Sequence, residues 1–379
     1  MLKLPLAALV TSAAIVLPAT ATATDFAFET AIKQRAADEV TLLDITRAGE
    51  RLLAAGERGV VIVSDDRGQS WRQASVPVST TITSLSFTDE KNGWGAGHAG
   101  AILHTSDGGE SWTLQFDGHQ ANQQYLARTK TVAAQMQREL DQLSSEGAEQ
   151  AVLDDLQYTL EDAEFNIEDA ETAVETGPAD PFLDILMLDK EQGVAVGAYG
   201  MLYRTGDGGQ TWTLDIDGID NVDRYHYYAI ATDHDGNLYL SGEAGLLYFS
   251  YDGGDNWQRV QGLYEGSLFG VVTQGGAVIT FGLRGNIFRS TDQGQSWEPI
   301  DSGQDYSLYG GTALDSGEIL LFGAAGQVLS SKDGGESFSA YNHPARNTFS
   351  AGVASPDGGY LLTGMSGIET IEQLGAHND

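Results

Sequence analysis

Six aspartates stand in one recurring octet, Ser/Thr-x-Asp-x-Gly-x-x-Trp/Phe, and they are the first residues whose type and spacing could do chemistry. They are Asp66, Asp107, Asp207, Asp252, Asp292 and Asp333, followed in the same order by Trp71, Trp112, Trp212, Trp257, Trp297 and Phe338. A carboxylate in a repeated loop reads either as a catalytic or calcium-binding group or as an acceptor of backbone N–H bonds across a turn, with Gly taking the positive φ. Turn closure is the reading adopted, because it gives the backbone groups of the loop their partners. The aromatic residue then packs between neighbouring sheets.

A second set of reactive side chains lies at Gly-x-x-Gly turns and in the segments between repeats. The turns supply Arg58, His98, Tyr199, Glu243 and Arg284; the segments supply Arg224, Tyr225, His226, Tyr264, Glu265, Asp305, Tyr306 and Arg346. Tyr, Arg and His among acids are the residues of a recognition surface, and the same mixture suits a carbohydrate site. A sialidase would need three arginines around one carboxylate, which Arg58, Arg224, Arg284 and Arg346 could offer, but no Arg-Ile-Pro motif stands near the first strand. A two-carboxylate glycosidase would draw on Glu243, Glu265 or Asp305. The 7 His are scattered and no metal is expected. Asp233-His-Asp235-Gly-Asn237 lacks the Glu that closes an EF-hand and reads as a turn. No cofactor is expected.

The elements that must position these residues follow from the repeat. The Gly-x-x-Gly turn occurs seven times, and its first glycines, Gly56, Gly97, Gly197, Gly242, Gly282, Gly323 and Gly364, are separated by 41, 100, 45, 40, 41 and 41 residues. Units of this length with four short strands are those of a β-propeller. In the second unit, alternation and turn residues predict strands at 81–87, 93–97, 101–105 and 111–116. The octet is then the hairpin between third and fourth strands. The fold expected is all-β, a seven-bladed propeller with an inserted antiparallel α-helical hairpin.

The unit G-x-x-G-x-(I/L/V)-x-x-(S/T)-x-D-x-G-x-(S/T/N)-W resembles the BNR/Asp-box propellers, and most of all the photosystem II stability and assembly factor group. The resemblance covers nearly the whole chain outside the insertion. It implies a non-catalytic role, holding a membrane-protein intermediate while it is built. It also associates partner contact with an arginine-rich patch, whereas here the Lys and Arg together number 20 against 54 Asp and Glu.

The seventh unit, from Thr348 to Leu374, has no octet and no fourth strand. Residues 25–32, Asp-Phe-Ala-Phe-Glu-Thr-Ala-Ile, alternate in polarity and are predicted to supply that strand and close the ring.

The long interval holds the insertion. Leu126, Ala133, Met136, Leu140 and Leu143, then Leu153, Leu156, Leu160, Ala163, Ile167, Ala170 and Val174, recur at helical spacing on either side of Ser144–Gly147. Two short amphipathic helices burying each other's stripe are expected. Residues 119–180 carry 14 acidic against 3 basic side chains, so the hairpin is either a solvated face or an acidic docking arm. As a connection between blades it should rise on the face of the Gly-x-x-Gly turns.

The N-terminus reads Met-Leu-Lys, an apolar run from Leu4 to Pro18, then Ala21-Thr-Ala23, a secretory leader. The run is too short to span a bilayer, and no other stretch is apolar enough. The organisation expected is a leader at 1–23, closing strand and two blades at 24–118, hairpin at 119–180, and five blades at 181–379. The net charge of −34 argues against nucleic acid, whose binding needs Lys and Arg. An exported, periplasmic scaffold or accessory factor for an envelope or inner-membrane complex is the leading expectation. A glycan-binding or glycoside-hydrolysing propeller is the alternative.

Overall fold

In the computed structural model, which describes residues 26–374, seven antiparallel sheets form the blades of a propeller, six of four strands and the last of three. The leader read at 1–23 lies outside the described residues. Blade 2 runs Ile82–Phe87, Gly93–Gly97, Ile102–Thr105 and Thr113–Phe116, within two residues of the predicted strands at every end. Each blade's second strand lies between two neighbouring sheets, so Gly93–Gly97, Gly193–Gly197, Leu238–Gly242 and Ile319–Gly323 are buried at every residue. The outermost strands are short; Arg72–Gln73, Thr213–Leu214 and Gln258–Arg259 have two residues each. Short edges offer little template for unwanted strand pairing.

The Gly-x-x-Gly turn repeats because one contact repeats. A Cβ on the first glycine would lie 2.2 Å from the Thr81 carbonyl at Gly97, 2.3 Å from that of Pro181 at Gly197 and 2.2 Å from that of Ser267 at Gly282. The same carbonyls accept the next N–H, from His98, Ala198 and Leu283. Only glycine lets the turn close down on the strand behind it.

In every octet the carboxylate is spent locally. Asp66 accepts from the Ser64 hydroxyl and the Ser70 N–H, both at 2.8 Å, while Ser64 Oγ accepts from the Gly68 N–H at 2.8 Å. Asp107, Asp207, Asp252, Asp292 and Asp333 make the equivalent bonds to the N–H four residues on. The hydroxyl and N–H bonds from Ser70 and the hydroxyl bond from Ser64 pull the Asp66 carboxyl down to about 2. The octet aromatics fill the seams between blades: Trp112 and Trp212 are buried, and Trp71, Trp257, Trp297 and Phe338 pack partly buried against inter-blade clusters. Asp233, of the loop weighed above as a calcium site, takes the Asn237 N–H and side chain and the Tyr239 hydroxyl.

The ring does not close as the alternation at 25–32 suggests. Phe26–Phe28 is a 3-10 turn, and the last sheet stays three-stranded as Phe349–Ala354, Tyr360–Gly364 and Gly367–Ile371. The segment runs instead along the connection between blades 1 and 2, where Ser79 N–H bonds the Ala27 carbonyl and Ala31 N–H bonds that of Val76. Phe28 and Ala31 pack on the core there, so the apolar side chains are consumed before the chain reaches blade 7. Contact with blade 7 comes later, where the Asp38 carbonyl accepts the Ile368 N–H at 2.9 Å and sits against Gly367. In other blades the carbonyl in this place belongs to the outgoing connection, as Tyr264 at Gly245 or Gln304 at Gly285. Blades 1 and 7 also share a Ser350 hydroxyl bond to the Leu42 carbonyl and an Arg67–Asp357 ion pair.

The insertion is a helical hairpin, α1 at Gly118–Glu146 and α2 at Gln150–Thr176, each longer than the short helices expected. Asp117 caps α1 by accepting the Gln120 N–H, and Gly147 ends it at φ 74°. Ala133, Leu160 and Ala170 are buried, and the two helices pack along each other. No helix among the described residues is long and apolar enough to cross a membrane.

Candidate docking face and hairpin cleft

The hairpin rises on the Gly-x-x-Gly face and is fastened to blade 3. Gln124 donates to the Trp212 carbonyl at 2.7 Å and accepts the Leu214 N–H at 2.8 Å, capping the outer strand of that blade as a further strand would. The Tyr203 hydroxyl donates to the Ala121 carbonyl, and Arg128 pairs with Asp217. α1 therefore follows the outer rim of blade 3, and Gly118 packs against the blade 2 turn at Gly100.

Of the residues singled out in the sequence, five meet at the junction of blades 3 and 4. Tyr199 donates its N–H to His226 Nδ1 at 3.0 Å, and the two rings meet edge to face at 4.8 Å. Arg224 donates to the Tyr199 carbonyl, and its guanidinium lies 4.6 Å from the ring of Tyr125 on α1. Glu243 accepts the His226 N–H at 3.2 Å, and Asn221 grips both backbone groups of Tyr225. Asp180 faces this group; burial raises its carboxyl pKa, with Arg224 and His226 acting against that rise.

The others are dispersed. Arg346 donates to the Tyr306 hydroxyl at 3.3 Å. Tyr264 donates to the Leu283 carbonyl and accepts from Asn286, pinning the connection between blades 4 and 5. Arg58 and Arg284 occupy the left-handed turn position of blades 1 and 5, at φ 57° and 60°. Ala99, Tyr199, Ala244 and Ala325 hold that position in blades 2, 3, 4 and 6, so the conformation belongs to the repeat. Its recurrence in six blades marks it as part of the scaffold rather than as strain stored at one functional site. His98 is exposed at its turn, and partial desolvation lowers its pKa. Glu265 and Asp305 stand in the connections after blades 4 and 5.

Sequence reasoning missed the most continuous feature of the face. Each inner strand opens with a β-bulge, and the bulged residues are Leu43, Thr83, Leu183, Tyr228, Phe269, Tyr309 and Ser350. Bulges re-aim side chains. Here three in succession are aromatic, extending Tyr199 and His226 into an arc: His226 to Tyr228 at 6.3 Å, Tyr228 to Phe269 at 5.2 Å and Phe269 to Tyr309 at 5.6 Å. Tyr199 and Tyr309, the two ends, are 50% and 44% exposed. Such rings combine large contact area with little entropy to lose on binding. The signal was present as a nearly constant offset, 14, 13 and 14 residues before Gly242, Gly282 and Gly323.

One step along, Asp44, Ser84 and Asp184 occupy matching places on the inner strands of blades 1 to 3. Asp44 accepts the Leu85 N–H; Ser84 donates to Asp184, which accepts the Ile230 N–H. Both residues stand on inner strands and are only partly exposed, and desolvation raises each carboxyl to about 6, with Asp184 adding repulsion at Asp44.

The chain matches the family described as photosynthesis system II assembly factor YCF48 over residues 69–137 and 167–304. It is 24% identical over 266 residues to the photosystem II assembly lipoprotein Ycf48 of Synechococcus sp. (strain CC9902), spanning 62% of this chain and 80% of that one. A solved structure of YCF48 bound to a D1 peptide superposes with a TM-score of 0.60 at 16% identity, covering 90% of this chain and 94% of the other. YCF48 from Cyanidioschyzon merolae gives 0.58 at 13%, covering 90% and 97%. A GH74 enzyme from Niastella koreensis also gives 0.60 at 13%, covering 93% and 54%. At such identities these structures speak for the fold.

Proposed function

This chain belongs to the family of photosynthesis system II assembly factor YCF48, and on that premise we propose that it is a non-catalytic scaffold that holds a segment of a membrane-protein complex during assembly. One relative is named as an assembly lipoprotein and another is described as bound to a D1 peptide; a polypeptide segment of a membrane complex is the corresponding client here. The observation that carries the reading is the aromatic arc from Tyr199 to Tyr309, continuous across four blades and joined to the hairpin through Arg224. Offset and edge-on rings present a rigid, amphipathic strip on which a peptide can lie. The carboxylate of Glu243 is engaged with the His226 backbone, a positioning role rather than that of a free acid or base. Export to the periplasmic side, with processing after Ala23, completes the proposal.

The test is capture of solubilised membrane complexes on the immobilised mature chain. Tyr228→Ala with Phe269→Ala should lose the client while the fold, checked by circular dichroism, is kept. Undiminished capture would remove the arc from the reading. Turnover of aryl glycosides that disappears in Glu243→Gln would replace the scaffold by the hydrolase.

A further inference from the structure

The inner face of the hairpin does not close onto the propeller. Between α1, α2 and the strand and loop leaving blade 3 lies a cleft of about 670 Å³, within the size range of ligand pockets. Val132 and Met136 face it from α1; Leu214, Ile216 and Val222 face it from the propeller. Val222 is 87% exposed, an apolar side chain held at the mouth. At the floor, Tyr227 is fully buried, and neighbouring Asn221 bonds both backbone groups of Tyr225.

Charge narrows the occupant. Asp162, Asp169, Asp180 and Asp220 line the cleft. Of its two arginines, Arg128 is paired to Asp217 and Arg224 is engaged over Tyr125. The site is apolar along its length and negative around it, on an insertion with 14 acidic and 3 basic residues. An anionic membrane or nucleic acid is repelled by such a surface; a polypeptide carrying Lys or Arg beside bulky apolar side chains is attracted and then desolvated.

We propose that the hairpin cleft is a second docking groove, which takes a client peptide segment of alternating apolar and basic side chains. The inference rests on the scaffold reading and adds to it a separate site and a chemistry. The helices bring the negative field, blade 3 brings the apolar wall, and neither alone forms the groove.

Fluorescence anisotropy with the full mature chain at near-physiological salt tests it, using three short synthetic peptides: alternating Leu and Lys, alternating Leu and Glu, and alternating Ser and Lys. Binding of the Leu/Lys peptide alone is expected. The charge-preserving variants Met136→Gln and Ile216→Gln should each weaken it by about tenfold or more, and Tyr158→Ser, on the 68% exposed flank of α2, should leave it unchanged. Equal binding of the Ser/Lys peptide, or of the Leu/Lys peptide to Met136→Gln, would reduce the effect to general attraction by an acidic protein and overturn the proposal. Client capture on the immobilised chain separates the two readings. If capture depends on Tyr228 and Phe269 but peptide binding ignores Met136, the cleft fails and the scaffold stands; if peptide binding depends on Met136 while no client is captured, the scaffold reading fails.

Discussion

The guanidinium of Arg224 lies 4.6 Å from the centroid of the Tyr125 ring, and this contact joins a propeller loop to the hairpin. The arginine adopts φ 53° to make it, in the left-handed region that disfavours non-glycine residues. A cation over an aromatic face at a partly exposed site is worth about 0.5–1 kcal/mol. Arg224→Gln should therefore speed hydrogen exchange of the first turns of α1 by roughly two- to fivefold and leave the blades unchanged. Unaltered exchange in α1 would mean that Gln124, Tyr203 and Arg128 hold the helix to blade 3 without it.

The two glycines of the repeating turn give opposite expectations with its central residue. A Cβ at Gly282 would stand 2.2 Å from the Ser267 carbonyl and 2.8 Å from Leu268 Cα, backbone atoms that cannot step aside. Gly282→Ala should cost about 2–4 kcal/mol, visible as a lowered thermal midpoint. Ala325 sits at φ 58° in blade 6, and Ala325→Gly removes that penalty, raising stability by up to about 1 kcal/mol. Equal effects from both would show that the carbonyl contact does not set the turn.

Asp44 and Asp184 make stability depend on pH. Both have folded values raised to about 6 from 3.8, so the folded state binds more protons than the unfolded one between those values. Their contribution is full below pH 3.8 and is lost as pH rises through about 6. Since both residues keep partial exposure, solvent screens the effect, and a drop on the order of 1 kcal/mol per group is expected. Asp184→Asn should flatten the fall of the melting midpoint between pH 4 and 7 relative to the parent. An identical pH profile would mean that water solvates the carboxylate fully.

The repeat was legible in the sequence because its cause is local: a glycine wherever a Cβ would meet a carbonyl, and an aspartate wherever two side-chain donors and an N–H need an acceptor. The hairpin was legible for the same reason, its stripe being set by helical spacing. The arc was not, because a bulge leaves no mark on Tyr228, Phe269 or Tyr309 except their offset from the next glycine. The cleft depends on the tilt that Gln124 fixes by bonding Trp212 and Leu214, contacts about ninety residues apart in the chain, and no local pattern specifies them. Met136, which the spacing placed in the stripe between helices, lines the cleft as well. At residues 25–32 the pattern of a strand was present without a strand, since Phe28 and Ala31 find their apolar partners on blades 1 and 2.

That correction yields the last prediction, which concerns closure. Residues up to 34 contact blades 1 and 2, whereas Asp38 alone of the described N-terminal residues bonds the outer strand of blade 7, through Ile368. Two truncations of the chain should therefore differ in kind. Beginning at residue 35 removes Phe28 and Ala31 from the core between blades 1 and 2, and should lower the melting midpoint while leaving a monomer with one cooperative transition. Beginning at residue 42 also uncovers Gly367 and the edge of Gly367–Ile371, whose open N–H and carbonyl groups can pair with another chain, and should give soluble oligomers or precipitate on size-exclusion chromatography. Arg67 and Asp357, 59% and 48% exposed, do not rescue the second truncation, because exposed ion pairs contribute at most about 1 kcal/mol. If the shorter truncation already aggregates, the contacts of Phe28 and Ala31, rather than the Asp38 bond to blade 7, are what keep the ring closed.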